Sequence, residues 1–198
     1  MRVLRTALLL AAIVWSLAVS GEVRARYHGD LNVFAGQKWF QQRDWAPVAE
    51  QPQLGLMFSF GEERAPVHFS IDVLFSKDKA DFVDPVLGPG RKEGSSLEYA
   101  IGVRKTWRNW ATCPHLGGGA DIVTARLDTM TSAGSDKRED RGYGAWIEAG
   151  LSWRIAGHFN LGIDARYTRV DVDLGTQYVS DDAPAGGFHA GLLLGYGW

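Results

Sequence analysis

Apolar and polar residues alternate one by one along most of the chain after residue 30. Such alternation puts apolar side chains on one face of a strand, because successive strand side chains point to opposite faces. Eight segments follow the pattern and predict eight strands: 31–39, 54–60, 67–75, 97–107, 116–122, 143–153, 159–167 and 187–198. The fifth is the most ambiguous, because Gly117, Gly118 and Gly119 allow a bulge that would reverse its face.

The connections between these segments alternate between long and short. The long ones are polar, rich in Gly, Asp and Pro, and predicted to be loops: 41–52, 76–95, 128–142 and 171–186. The short ones are predicted to be turns: 61–66, 108–114 and 154–158. An even strand number then leaves both chain ends on the side of the short turns.

The last segment, Gly187 to Trp198, carries a specific signature. One face is wholly apolar and ends in aromatic residues: Phe188, Ala190, Leu192, Leu194, Tyr196 and Trp198. It resembles the closing strand of bacterial outer-membrane β-barrels, although Trp198 stands where that family usually has Phe. The resemblance implies an all-β fold, an eight-stranded antiparallel up-and-down transmembrane β-barrel over residues 31–198. The similar small barrels are the membrane domain of outer membrane protein A and the outer membrane protein X and W types. Short periplasmic turns and long outer loops are typical of them.

Aromatic residues of the apolar face cluster at both ends of the predicted strands. The outer girdle comprises Trp39, Phe75, Tyr99, Tyr143, Tyr167 and Phe188. The periplasmic girdle comprises Phe60, Trp107, Trp153, Phe159 and Trp198, with Phe69 beside them. Two aromatic girdles around an aliphatic band match the two interfaces of a membrane, whereas a soluble lipocalin-like barrel has no reason to sort its aromatics in this way.

The amino terminus is predicted to be a cleaved secretory signal peptide, residues 1–20. Arg2 and Arg5 precede a short apolar run, and Ala18 and Ser20 occupy the small-residue positions before a cleavage site. The alternative is an uncleaved anchor. Residues 21–30 form a short periplasmic lead, and the predicted location of the protein is the outer membrane.

Composition excludes some classes of function. The net charge is −2 and becomes more negative without the signal peptide, which argues against nucleic-acid binding. The single Cys113 permits no internal disulfide and, beside Pro114, is predicted to be a turn residue. No cofactor and no metal ion are expected.

The face opposite the lipid combines glycines with charged residues. Its charges are predicted to form a lumen network of Asp72, Glu98, Arg104, Asp121, Glu148, Asp164 and Arg166. Charges inside a narrow barrel must pair or be hydrated, and Glu148 with Arg166 is the favoured pair, since their strands are neighbours. The network would plug the lumen. The alternative is a narrow pore whose charges select solutes.

A catalytic interpretation depends on His68 and Ser70, which share a face. Small outer-membrane lipid A deacylases use a His-x-Ser pair, but here the surrounding residues do not extend the match and strand three begins at the periplasmic end. Both residues are therefore predicted to form hydrogen bonds in the lumen. Lys38 and His189 should lie close together near the outer rim, where the first and last strands pair, and are predicted to be polar lumen residues without a further role. His28, His115 and His158 are placed near the periplasmic boundary, without a metal-ligand spacing such as HExxH. The acidic loop residues Asp171, Asp173, Asp181 and Asp182 are predicted to be solvated rather than cation-bound.

The function predicted from the sequence is a non-enzymatic outer-membrane barrel with a structural or surface-interaction role and a plugged polar lumen. The alternatives are a narrow channel for small or hydrophobic solutes and a lipid A-modifying enzyme. Expected partners are outer-membrane lipid and lipopolysaccharide, and periplasmic chaperones and the barrel-assembly machinery acting on the C-terminal strand. The protein is expected to be a monomer.

Overall fold

The computed structural model describes residues 27–41, 45–84, 88–108, 112–132, 134–173 and 182–198. The predicted signal peptide, most of the periplasmic lead and Asp181 lie outside these residues. The described strands are β1 (Tyr27–Phe40), β2 (Glu50–Glu62), β3 (His68–Asp84), β4 (Gly88–Thr106), β5 (Thr112–Thr131), β6 (Gly134–Ile155), β7 (Phe159–Asp173), β8 (Asp182–Pro184) and β9 (Gly187–Gly197).

Eight of these strands form a closed antiparallel barrel. Each pairs with its neighbour in sequence from β1 to β7, β7 pairs with β9, and β9 pairs with β1 to close the ring. The short β8 pairs with β7 alone, beyond the outer rim. The predicted eight-stranded up-and-down barrel is therefore confirmed. In the part of the chain that the structure describes, no helix is long and apolar enough to span a membrane.

The two faces of the barrel differ as the alternation predicts. Leu194, Ile147 and Ile163 face outward and are more than half exposed, whereas polar residues at inward positions are buried. Strand β5 is continuous through its glycines, and Leu116 and Ile122 face outward as predicted. The lumen also contains an apolar cluster that the sequence analysis did not predict: Phe34, Met57, Leu74 and Leu193.

Two predicted loops are largely strand. Residues 76–95 continue β3 to Asp84 and begin β4 at Gly88, and residues 128–142 continue β5 to Thr131 and begin β6 at Gly134. The four strands remain paired above the rim and form a sheet, here called the outer extension (residues 77–95 and 126–141). Because β3 continues eight residues beyond Ser76, its last pairing position with β2, the extension reaches about 27 Å along the strand.

Other boundaries also move outward from the predicted ones. Strand β1 begins at Tyr27, so the end of the predicted lead belongs to the barrel. Strand β5 begins at Thr112, so Cys113 is a buried, inward-facing strand residue and not a turn residue. The prediction for Cys113 is wrong because a Cys-Pro pair at the beginning of a strand resembles a turn in sequence.

Close backbone approach explains some of the inward glycines. Gly102 on β4 and Gly119 on β5 are direct cross-strand partners. A Cβ atom at Gly119 would collide with the backbone of Ile101, whereas one at the outward Gly118 would lie 3.2 Å from its nearest atom. The inward position of Gly119 therefore requires glycine, whereas the outward position of Gly118 accepts a side chain more easily.

Candidate functional site

A ring of two arginines and two carboxylates fills the middle of the lumen. Arg104 donates from Nη2 to Asp72 Oδ2 at 3.0 Å and from Nε to Glu148. Arg166 donates from Nη2 to Glu148 Oε2 at 2.6 Å and also to Asp72. Each carboxylate thus has two guanidinium donors, an arrangement that compensates buried charge by strong hydrogen bonds.

These four residues connect different walls of the barrel. Asp72 lies on β3 and Arg166 on β7, which stand opposite each other in the ring. The Arg166 guanidinium also lies over the Trp146 ring, 4.4 Å from its centroid. All four members of the ring are buried. The ion pairs therefore cross the lumen and occupy the space through which a solute would pass.

A second polar layer surrounds Lys38. Its Nζ atom donates to Glu98 Oε1 at 2.5 Å, to Ser96 at 3.2 Å and to the backbone oxygen of Ala185 at 2.8 Å. His189 is the cross-strand partner of Lys38, and its Nδ1 lies 2.9 Å from Gln53 Oε1. The predicted meeting of Lys38 and His189 is confirmed, and Lys38 is the centre of the layer.

The outer mouth is closed by apolar side chains. Trp45 and Val48 lie in the segment between β1 and β2 and are fully buried, and the Trp45 ring stacks on Phe40 with centroids 3.9 Å apart. Gln51 donates to the backbone oxygen of Val48 at 3.1 Å. This outer plug also includes Val123, Ala125, Leu127, Val170, Val172 and Ala185. Part of the predicted loop 41–52 is therefore folded into the barrel.

A third polar cluster lies at the mouth on the side of the short turns, called the periplasmic mouth after the predicted orientation. Arg108 donates from Nη2 to Asp30 Oδ2 at 2.5 Å, and Arg154 donates to the other Asp30 oxygen. Asn160 donates to Asp30 at 3.0 Å and to Asn32 at 3.1 Å. A narrow cavity opens here, and these five side chains contribute to its lining.

The remaining members of the predicted network have different surroundings. Asp164 Oδ2 lies 2.8 Å from Nε2 of His115, whose side chain is buried in the lumen near the beginning of β5. Asp121 is buried, yet among the described residues neither of its carboxylate oxygens has a hydrogen-bond partner. Asp121 thus faces the lumen without joining the ion-paired clusters.

One group of side chains has the composition of a metal site. The residues are His115, Glu148 and Asp164. Each offers one possible ligand atom, and these three atoms lie within 4.8 Å of one another. However, both Glu148 oxygens accept hydrogen bonds from guanidinium groups of Arg104 and Arg166. Two fixed positive charges at this position would repel a cation, so the geometry favours the hydrogen-bonded arrangement.

The His68 and Ser70 pair does not form a catalytic arrangement. Both side chains are buried in the lumen, at the periplasmic end of β3. Within the described residues, Ser70 Oγ has no hydrogen-bond partner, which differs from the predicted lumen hydrogen bond. A serine nucleophile needs a base in contact with its hydroxyl, and His68 does not provide that contact.

The aromatic residues lie on the outward face at both ends of the barrel. At the outer end, Trp39 and Phe188 are cross-strand partners with ring centroids 5.8 Å apart, and Tyr167 is the next partner of Phe188. The side chain of Tyr143 is 70% exposed, and Phe75 and Tyr99 are also exposed. At the periplasmic end, rings pack in the pairs Tyr27–Phe60, Phe58–Trp198 and Phe159–Tyr196, and Trp107 and Trp153 are exposed.

Sequence reasoning missed the periplasmic cluster and the outer plug. The predicted bounds place Asp30 in the lead and Arg108 in a turn. Each nevertheless lies an even number of residues from an inward residue, Asn32 or Arg104, and therefore shares its face. This two-residue spacing is a signal that could have identified both residues. Trp45 and Val48 follow no alternation, so no local signal marks their burial.

Comparison with known proteins identifies the architecture. The sequence matches no protein-family profile and no curated protein. Among solved structures, the chain is similar to the attachment invasion locus protein of Yersinia pestis, with 15% identity and a TM-score of 0.53 over 87% of this chain and 99% of that one. It is similar to outer membrane protein OprG from Pseudomonas aeruginosa, with 15% identity and a TM-score of 0.55 over 87% and 94%.

A third solved structure extends the comparison. A major outer membrane protein from Thermus thermophilus matches with 9% identity and a TM-score of 0.56, over 87% of this chain and 98% of that one. Identities this low bear on the fold and not on activity. The chain has the fold of the small eight-stranded bacterial outer-membrane β-barrels.

Proposed function

We propose that this protein is a monomeric, non-enzymatic outer-membrane barrel with a closed lumen, which acts through its surface outside the membrane. The observation that carries the proposal is the closure of the lumen at several depths. The outer plug around Trp45, the ring around Asp72 and the periplasmic cluster around Asp30 lie one after another along the barrel.

The outward face supports the membrane location. Its middle is aliphatic, and aromatic residues such as Tyr143 and Phe159 lie at its two ends. In water such a surface would be a large exposed apolar patch, which soluble monomers avoid. In a bilayer the same surface meets hydrocarbon and the aromatics lie at the interfaces.

The outer extension supports a role at the surface. It stands beyond the outer girdle and presents charged residues, including the ion pair in which Arg91 Nε donates to Asp81 Oδ1 at 2.7 Å. Such a surface is accessible to lipopolysaccharide and to other molecules outside the cell. Delivery to the membrane would use periplasmic chaperones and the barrel-assembly machinery, which would recognise the C-terminal strand.

Conductance of the refolded protein in a planar bilayer tests the closed lumen. Heat-modifiable gel mobility confirms in the same preparation that the barrel is folded. We expect no discrete current steps. Current steps whose size changes on Glu148→Gln, but not on the surface substitution Asp81→Asn, would show that the charged lumen is a pathway and would overturn the proposal.

A further inference from the structure

Two neighbouring strands each carry a basic residue at the next outward position beyond their own aromatic girdle residue. On β6, Arg141 is the next outward residue above Tyr143, and on β7, Arg169 is the next outward residue above Tyr167. Both arginines are exposed. They flank Tyr143 on the same outward surface, since Arg169 pairs with Ala145, the outward residue below Tyr143.

Neither arginine has an acidic partner among the described residues. Arg141 donates from Nε to the Thr124 hydroxyl at 3.3 Å, and Arg169 makes no hydrogen bond or ion pair within the described part of the chain. By contrast, Arg126 is paired with Asp128 at 3.2 Å, and Lys77 is paired with Glu93. Acids do lie nearby, because Glu139 and Asp171 share the outward faces of β6 and β7. Neither of them bonds to Arg141 or Arg169 among the described residues.

Each arginine lies two residues beyond the girdle tyrosine of its own strand. Two residues span about 7 Å along a strand, and because barrel strands are tilted, each arginine lies roughly 5 Å beyond its own tyrosine along the membrane normal. The headgroup layer on one side of a bilayer is about 5–7 Å thick. The phosphate of a lipid is the anionic group at this depth, and a guanidinium binds phosphate with two parallel hydrogen bonds.

We propose that Arg141 and Arg169, on either side of Tyr143, form a binding site for the phosphate groups of an outer-leaflet lipid. The site depends on the membrane location proposed above. The two arginine positions are about 14 Å apart along the strand direction, four residues on β6. A lipid with two phosphates is therefore the occupant that fits.

The test is a titration of the refolded, detergent-solubilised protein with bisphosphorylated lipid A, followed by native mass spectrometry. Dephosphorylated lipid A and inorganic phosphate are the comparison probes. A base at a membrane surface contributes about fivefold to lipid binding. We therefore expect Arg141→Gln and Arg169→Gln each to weaken binding about fivefold, and the double variant to weaken it on the order of 25-fold.

Arg126→Gln is the matched control, because it removes the same charge from the same surface at a base that already has an acidic partner. We expect it to bind lipid A like the unaltered protein. Equal binding by the double variant and the unaltered protein would overturn the site, and so would equal binding of phosphorylated and dephosphorylated lipid A. Competition by inorganic phosphate at the same concentration as lipid A would also overturn it, by showing an anion site without lipid selectivity.

Heat-modifiable mobility of each variant shows that the barrel is folded, which is expected for substitutions of exposed side chains. Failure of this site is distinguishable from failure of the closed-lumen proposal. Loss of phosphate selectivity with no current steps would overturn the lipid site alone, whereas current steps with intact lipid selectivity would overturn the closed lumen alone.

Discussion

Replacement of Asp72 by asparagine tests whether the central ring stabilises the barrel. Asp72 is fully buried and accepts hydrogen bonds from both Arg104 and Arg166. Asparagine keeps the shape of the side chain but removes its charge, so two guanidinium groups would remain with Glu148 alone. Removing one partner from a buried ion pair costs about 3–5 kcal/mol, because it leaves an uncompensated buried charge. We expect the free energy of unfolding to fall by about that amount.

Asp81→Asn is the matched control, because it makes the same chemical change on the same strand. Asp81 is exposed on the outer extension and pairs with Arg91, and exposed pairs contribute little to stability. Urea unfolding in lipid vesicles, followed by tryptophan fluorescence, measures both variants. An equal effect of Asp72→Asn and Asp81→Asn would refute the reasoning.

A second substitution separates charge compensation from packing. If the loss in Asp72→Asn comes from unpaired guanidinium charge, removing one guanidinium should recover part of it. We expect Asp72→Asn combined with Arg104→Gln to lose less stability than the sum of the two single variants. Strict additivity would mean that the two side chains act independently.

Three further predictions concern the plug, the wall and the extension. Trp45→Ala should lower the free energy of unfolding by about 3–5 kcal/mol, because it leaves a cavity in the outer plug. The variant should still show no current steps in a planar bilayer, because the ring of Asp72, Arg104, Glu148 and Arg166 still closes the lumen. Current steps in this variant would show that the plug is the decisive barrier. Gly119→Ala should lower the free energy of unfolding by about 1–3 kcal/mol through its backbone collision, and Gly118→Ala should lose less; urea unfolding that ranks them in the opposite order would contradict the close approach. The hydrogen bond from Arg91 lowers the pKa of the Asp81 carboxyl below its ordinary 3.8, so the ion pair contributes above that pH and is lost as the pH falls through the lowered pKa. Arg91→Gln should raise the Asp81 pKa in a carboxyl-carbon NMR titration, and an unchanged pKa would contradict the pairing.

The barrel part of the fold follows from the sequence because, in the proposed membrane location, lipid requires an apolar side chain at every second residue. Between the girdles each outward side chain would then meet hydrocarbon, and every outward position of the segment 67–75 is apolar. Above the girdle that requirement ends. The outer extension carries mainly polar residues on both faces, and its strands are held by backbone pairing. The alternation disappears there although the strands continue to Asp84 and Thr131.

The lumen contacts were only partly predictable, because the alternation along a strand shows which face a side chain occupies but does not show which residue it contacts. Glu148 and Arg166 are direct partners on neighbouring strands, so their contact follows from strand order. The bond from Arg166 to Asp72 crosses the barrel and depends on its diameter. The burial of Trp45 depends on how the segment after β1 folds back over the mouth, which no local pattern encodes.

The outer extension has a consequence for contacts between neighbouring copies of the barrel. Within the described residues, β3 above Ser76 pairs only with β4, and β6 above Tyr143 pairs only with β5. Unpaired strand edges invite other chains to add as further strands, a first step toward aggregation. Here both edges carry dense charge of both signs, in the sequences KDKAD at 77–81 and SDKREDR at 135–141. Neighbouring copies can therefore stand close together in a membrane while their sheets remain separate.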